Sequence, residues 1–565
     1  MKRKHVTLMS LALAFASVLA SCGPTGPVET YDHYFKPGAH EWISTYAGLR
    51  QGQGSMDPFS TVAVETPNGL RTKKMVQNVK ALVVPVDFTD FPASGLPNGE
   101  EGTIAELEAA VFGEAEETRW HSLKSYYEET SFGQCHVSGE VVDFFHTGVT
   151  AREFATGATF GKEHTADGKG FEGTTSSTVT KKLVAAITSL YKEGGSRYGE
   201  IDLNEYDANG DDYIDSVLMI YSCSPHQTDS AGKIDDDLYW AFRWNASVEP
   251  TYDNYGDVVY PGADGFFWAS YRTFYEHGDY TDEDIRNGNA TIDCHTLIHE
   301  FGHILSLEDY YDYSYNHSPL GALDMMDHNI GDHNAYSKSL LGWITPNIVN
   351  GAAEITINST TDTGDYIILP APDTWELWGD YADKSQRWYG TTLAQYLMIE
   401  FLTPTGVAYY DGLNQYTPGW AYYFSTAGVR ITHVDSRIGE FLYNNNDKAY
   451  RFNSYTIQTV YSGTESGYCD LATTNTGKNN EGRKQEAFED NRLITTVSSQ
   501  GITWKARKRG TVKNEDLFQE GDTLSGYQFF NKIGGQVVDM GYEISIVKID
   551  GNNSATIRFT PVTAK

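Results

Sequence analysis

The segment His295-Thr-Leu-Ile-His299-Glu300-Phe301-Gly302-His303 constrains the fold more than any other stretch of the chain. His299 and His303 stand four apart, a spacing that stacks two side chains on one face of an α-helix. Ile298, Phe301, Ile304 and Leu305 are apolar, so this helix is expected to be largely buried. Histidines and a glutamate carried inward need partners, because unpaired polar groups are expensive to bury. A metal ion is such a partner. Neutral imidazole is a good zinc ligand, and a Glu next to the first His can exchange a proton with water. The fold must therefore pack this helix on a core and leave one side open to a cleft.

His295 shares the same face but lies roughly 12 Å along the axis from His303, at 1.5 Å per residue. One ion cannot easily take both ends. His299 and His303 are the expected ligands, Glu300 the expected general base, and His295 a core histidine with partners of its own. Zinc wants a third protein ligand. No Glu occurs between Asp309 and Ala353, which argues against a Glu from a later helix. Asp309 stands ten residues after the first His and is the expected third ligand, with Glu308 and Asp312 as rivals. Asp324 or Asp327 would serve instead in an aspzincin-like arrangement. Within Asp324-Met-Met-Asp327, Met326 (or Met325) has the place of a Met-turn residue packing beneath the ligands. His328, His333 and Tyr336 are candidate oxyanion contacts.

The rest of the pattern supplies a frame. Val79–Phe88 and Ser216–Tyr221 are continuous apolar runs, as in strands buried on both faces. Helical spacing appears at Thr103–Phe112, Trp120–Thr130, Ser176–Tyr191 and Thr291–Leu305. Strands alternating with helices imply an α/β (α+β) domain ending near residue 350. From about Ala352, short runs rich in Tyr, Ile, Val and Thr are separated by Gly, Asp and Asn. They read as a C-terminal all-β, sandwich-like region. The expected organisation is 1–21 signal peptide, 22–75 tether or pro-segment, 76–350 catalytic domain and 351–565 β region.

Lys2, Arg3 and Lys4 precede an apolar run from Val6 to Leu19, which ends Leu19-Ala20-Ser21-Cys22. That is the layout of a bacterial lipoprotein signal, with the Cys22 thiol acylated (palmitate or a similar chain) and the folded part held outside the cell at a membrane surface. The formal net charge of −34 excludes nucleic acid as a partner and disfavours anionic lipid. Cys135, Cys223, Cys294 and Cys469 contain no CxxC pair, and read as buried thiols or one or two disulfides. Asp207, Asn209, Asp211, Tyr213 and Asp215 place oxygens at every second residue, a pattern that suits calcium, with a polar turn as the plainer alternative. Asp235, Asp236 and Asp237 read as a solvated run. His433 and Asp435 share one face of a strand and read as a hydrogen-bonded core pair.

Taken together, HEFGHILSLEDYYD (299–312), DMMD (324–327) and GDHNAYSKSLLGWI (331–344) resemble the immune inhibitor A family of secreted metallopeptidases. SYYEETSFGQCHVSG (125–139), IDLNEYDANGDDYIDSV (201–217), YLMIEFLTPTG (396–406) and GVRITHVDSRIG (428–439) extend the likeness over roughly residues 79 to 440. The resemblance implies a metzincin-like catalytic domain, one catalytic zinc, structural calcium and protein or peptide substrates. By it, His299, His303 and Asp309 fall on the zinc ligands and Glu300 on the general base. Ser306 departs from the pattern, since such motifs carry Gly where the chain leaves the helix. The alternative function is a surface lipoprotein binding glycan or host protein on a peptidase fold; an intact Glu300 favours the enzyme.

Overall fold

The computed structural model describes residues 32–36, 62–66, 69–73, 78–156, 183–188, 201–225, 227–228, 234–235, 241–278, 280–305, 307–313, 317–372, 395–435, 438–444, 449–455, 468–472, 475–476, 492–506, 512–530 and 537–562. The signal-like segment with Cys22, the residue Ser306 and the acidic side chains of 235–237 lie outside the described residues.

Two large sheets carry the structure. β1 (Asp32–Phe35) belongs to the second. The first is built from β2 (Asn78–Asp87), β3 (His136–Val141), β4 (Phe145–His146), β5 (Ser216–Tyr221), β6 (Phe242–Val248) and β7 (Ala263–Ser270). Its order is β6-β7-β5-β2-β3, with β4 also on β2. All pairings are parallel except β6 with β7. The continuous apolar runs are explained by burial on both faces. Along β2, Val79, Ala81 and Val83 enter one core while Leu82, Val84 and Val86 enter another. Leu218 and Ile220 of β5 likewise separate from Val217, Met219 and Tyr221.

Helices cover the first of those cores: α1 (Gly99–Phe112), α2 (Leu123–Thr130) and α3 (His295–Ile304). Ser122 caps α2, its hydroxyl accepting from the Ser125 N–H at 3.0 Å, as a side-chain oxygen does at an N-cap. Two short helices follow α3, namely α4 (Met325–His328) and α5 (Ala335–Leu340). Residues 183–188 form the described part of the helix expected over Ser176–Tyr191.

The second sheet has nine strands. β8 (Asn347–Asn358), β9 (Tyr366–Pro370), β10 (Gln395–Leu402), β11 (Gly428–Asp435), β12 (Ile494–Val497), β13 (Thr523–Ser525), β14 (Tyr542–Asp550) and β15 (Ser554–Pro561) run β12-β11-β10-β9-β8-β15-β14-β13, and β1 also pairs with β8. The C-terminal region is thus predominantly β, but among the described residues its largest sheet packs one face on helices where the sequence pattern reads as a sandwich; a three-stranded sheet (Ile438–Asn444, Ala449–Tyr455, Tyr468–Ala472) and a hairpin (Gln528–Phe530, Val537–Asp539) complete it. The reason lies in alternation. Tyr366, Ile368, Tyr396 and Met398 face the core that holds α3, whereas Ile367, Leu369, Leu397 and Ile399 face a separate core with β14 and β15. One face of this sheet therefore packs on the first domain instead of on a partner sheet. The N-terminal segment read as tether contributes β1, with Tyr34 opposite Val349 and Phe35 opposite Ile348.

Candidate metal centre

The helix α3 enters at a polar knot. Asp293 accepts from the His295 N–H at 3.1 Å, which satisfies one of the donors that a helix N-terminus leaves open. Leu297, Ile298 and Phe301 are buried. After Ile304 the chain folds back, with the Leu307 N–H donating to the Gly302 carbonyl at 2.9 Å. That return brings Asp309 to the two histidines. Donor atoms of His299, His303 and Asp309 all lie within 4.8 Å of one another, the one such group among the described residues.

Each imidazole is held by its far nitrogen. His299 Nδ1 lies 2.7 Å from the Met325 carbonyl, and His303 Nδ1 lies 2.8 Å from the Leu307 carbonyl. A carbonyl only accepts, so both Nδ1 atoms donate and both Nε2 atoms of the neutral rings present lone pairs. Those Nε2 atoms face Asp309 Oδ1 at 3.1 and 3.2 Å. Three electron-rich atoms converge on one point, an arrangement that needs a cation or a proton between them. Burial alone would lower the His303 pKa, but the Asp309 charge outweighs it and pushes the imidazole up to about 9. Asp309 is held well below the usual carboxylate range: the two imidazoles overcome its burial. Its other oxygen accepts from the Tyr313 hydroxyl at 2.6 Å. Tyr313 lies outside the sequence expectations; its spacing four residues beyond the carboxylate is the signal that marks it.

Glu300 is half-buried at the edge of the same cleft. Burial raises its carboxyl above the ordinary value, with His303 and His299 opposing. The carboxylate accepts from the Arg243 backbone N–H of β6. The cleft holds about 370 Å³ and also contains His328, Tyr311, Tyr416 and Trp420.

The DMMD turn serves the centre four times over. Asp324 accepts from the Met326 N–H at 2.8 Å and from Asn334, starting α4. The Met325 carbonyl orients His299. Met326 is fully buried directly under Gly302, where an added Cβ would come within 2.5 Å of its sulfur. Asp327 accepts from the Ala322 N–H at 2.9 Å and binds His328 Nδ1 at 2.5 Å. Asp324 and Asp327 thus have other partners and stand outside the converging group. Asp312 faces Arg492 at 3.9 Å, and Glu308 is likewise apart from the group.

Of the oxyanion candidates, His328 lines the cleft, whereas His333 and Tyr336 do not. His333 is buried with Nε2 at 3.3 Å from the Tyr127 hydroxyl, and burial holds its pKa well below the ordinary value. Tyr336 is buried in the core. In the 207–215 loop, Asp207 accepts from the Asp211 and Asp212 N–H groups, and Asp211 from that of Tyr213. Asn209 accepts from the Asp211 N–H. Asp215 binds the Lys80 N–H at 3.1 Å, fastening the loop to β2, and its other oxygen has no hydrogen-bond partner. These carboxylates do not draw together as the 299–309 group does. Cys135, Cys223 and Cys294 are free, buried thiols. His433 is a core histidine bonded to Gln395 at 3.0 Å and to Tyr527 at 2.9 Å.

In a mixed α/β setting, HExxH on a buried helix and a carboxylate folded back onto it form a group that could hold a metal ion. Residues 73–331 match the family described as immune inhibitor A peptidase M6, catalytic domain. An immune inhibitor A of Bacillus thuringiensis subsp. alesti is 27% identical over 258 residues, covering 42% of this chain and 34% of that protein. The chain spans about a third of the length of this curated relative. The likeness to the immune inhibitor A peptidases is thereby shown over residues 73–331.

Proposed function

We propose that the chain is a zinc-dependent endopeptidase working outside the cell, with Glu300 as general base. The convergence of His299, His303 and Asp309 carries the reading. Two tautomer-fixed imidazoles and one carboxylate form a donor set that fits zinc, with a cleft left open on one side. Bound there, zinc would act as a Lewis acid on the scissile carbonyl and lower the pKa of the attacking water. Glu300 would take a proton from that water and return it to the leaving amine. Tyr313 would steady Asp309, as an outer hydrogen-bond partner does for a metal ligand. His328, its Nδ1–H given to Asp327, would donate from Nε2 to the oxyanion that develops on the carbonyl only in its doubly protonated form.

The test pairs zinc content with hydrolysis of an unfolded protein such as casein. One zinc per chain is expected in both the wild type and Glu300→Gln, with hydrolysis lowered at least about a thousandfold in the variant. Retained hydrolysis in Glu300→Gln would remove Glu300 from the role of base. The signal pattern at residues 1–22 supports lipid anchoring through Cys22. Cys22→Ala should move the protein from the membrane to the soluble fraction, and unchanged partitioning would sink the anchor.

A further inference from the structure

His295 is fully buried, and neither of its ring nitrogens is directed at the metal centre. Nδ1 lies 2.6 Å from Asp293 Oδ1, and Nε2 lies 3.2 Å from each oxygen of Asp411. The ring is stacked between Trp120, at 4.0 Å and 12°, and Tyr416, at 4.5 Å and 25°. A neutral imidazole can donate from one nitrogen only, whereas the imidazolium donates from both. Two flanking carboxylates and two aromatic faces are the surroundings of a cation.

The partners on the far side belong to residues 407–423, beyond the segment that matches the peptidase family. Asp411 also accepts from the Gly331 N–H at 2.6 Å, and its own carbonyl accepts from the Tyr423 N–H at 2.8 Å. Arg119 donates to the Gln415 carbonyl at 3.2 Å and to the Tyr410 hydroxyl at 2.8 Å. The Trp120 indole N–H reaches the Val407 carbonyl at 3.0 Å. Next along α3, the Thr296 hydroxyl lies 2.7 Å from that of Tyr416. So fastened, Tyr416 and Trp420 stand edge to face at 5.8 Å and line the cleft beside His299 and Glu300, with Trp420 also against His328 at 5.3 Å.

We propose that His295 is a positioning residue: as a buried cation clamped between Asp293 and Asp411, it fixes the 407–423 segment across the catalytic helix and so sets the Tyr416–Trp420 wall against which substrate binds. This rests on the peptidase reading, since the wall has meaning only beside a working centre. His295 acts on substrate through Tyr416 and Trp420, not on the metal.

The experiment is a double-mutant cycle in the full-length protein, read with a quenched fluorescent peptide that the wild type cleaves and with zinc content measured alongside. Asp411→Asn keeps the shape of the clamp and removes one charge; His295→Gln is the second clamp variant. Trp420 is half-exposed, so Trp420→Ala should fold. Wild-type zinc content is expected throughout. Each single variant should raise KM about tenfold while lowering kcat less, the scale on which small misplacements of binding groups act. The clamp and wall variants combined should be little worse than either alone, because both remove the same wall. Additive effects on KM, zinc loss in the clamp variants, or failure of both clamp variants to fold would each overturn the proposal. Absence of zinc or hydrolysis in the wild type would instead strike the peptidase reading.

Discussion

At the scale of single residues, the helix α3 puts three histidines on one face and gives them two different environments. His299 and His303 face one carboxylate oxygen, His299 also a cleft; His295 faces two carboxylates in a sealed pocket. Burial alone would lower the His295 pKa, but Asp293 and Asp411 outweigh it and raise it to about 9. Arg119 lies 3.4 Å from Asp293 on its other side. His277 and His121 also surround the group, and burial lowers both of them to about 4, so neither brings a competing charge near neutrality. A pKa raised on folding stabilises the fold in full below the unfolded value near 6.5 and loses that contribution as pH rises through about 9. The melting temperature of the wild type should therefore fall between pH 7 and pH 10 by more than that of His295→Gln, which has no such proton to lose. Parallel melting curves for the two proteins would show that His295 carries no extra charge in the fold.

At the scale of elements, the centre depends on how closely α3 lies on α4. Gly302 is the contact point: a Cβ there would meet the Met326 sulfur at 2.5 Å and its methyl at 3.1 Å. Met326 is fully buried and has little room to withdraw. Gly302→Val should cost about 2 kcal/mol or more by overpacking, less whatever the helix gains from losing a glycine. A lowered melting temperature together with weaker zinc retention is the expected reading, since the same contact holds the Met325 carbonyl on His299. Unchanged melting and zinc affinity would mean that α4 is free to shift. The sequence revealed this pairing only halfway. HExxH and the later methionine were legible because spacing on a helix and a fixed motif order are local signals. The buried strands β2 and β5 were legible for the same reason, as unbroken apolar runs. What spacing could not show was which element lies opposite. Tyr313, Tyr416 and Trp420 come from turns and Asp411 from a short helix (Tyr409–Leu413) whose local pattern is ordinary, and their place is set by long-range packing. That one face of the broad sheet packs on helices escaped for a related cause. Alternating apolar residues announce two buried faces, but not whether the cover is another sheet or a set of helices.

At the scale of the whole molecule, the segment matching the peptidase family ends at residue 331, whereas the core that holds α3 does not. Ile298, Phe301 and Met326 share that core with Tyr366, Ile368, Tyr396, Met398, Val407 and Val434. Glu400 of β10 accepts from the Ala335 N–H at 2.8 Å, opening α5, and is paired with Arg430, which reaches the Leu323 carbonyl at 3.3 Å. A cut near residue 350, where the sequence pattern changes character, would strip these six buried side chains and the Asp411 clamp from the catalytic half. At about 1.5–3 kcal/mol per buried side chain, the apolar loss alone is roughly 9–18 kcal/mol. That matches the whole stability of an ordinary domain, about 5–15 kcal/mol. A fragment of residues 76–350 should therefore lack a cooperative thermal transition and be unable to hydrolyse casein. In the intact chain, the amides of α3 and of β10 should exchange with solvent at the same free energy, as members of one cooperative unit do. A soluble fragment that melts cooperatively and binds zinc would show that the second sheet is a separate module resting on a complete peptidase domain.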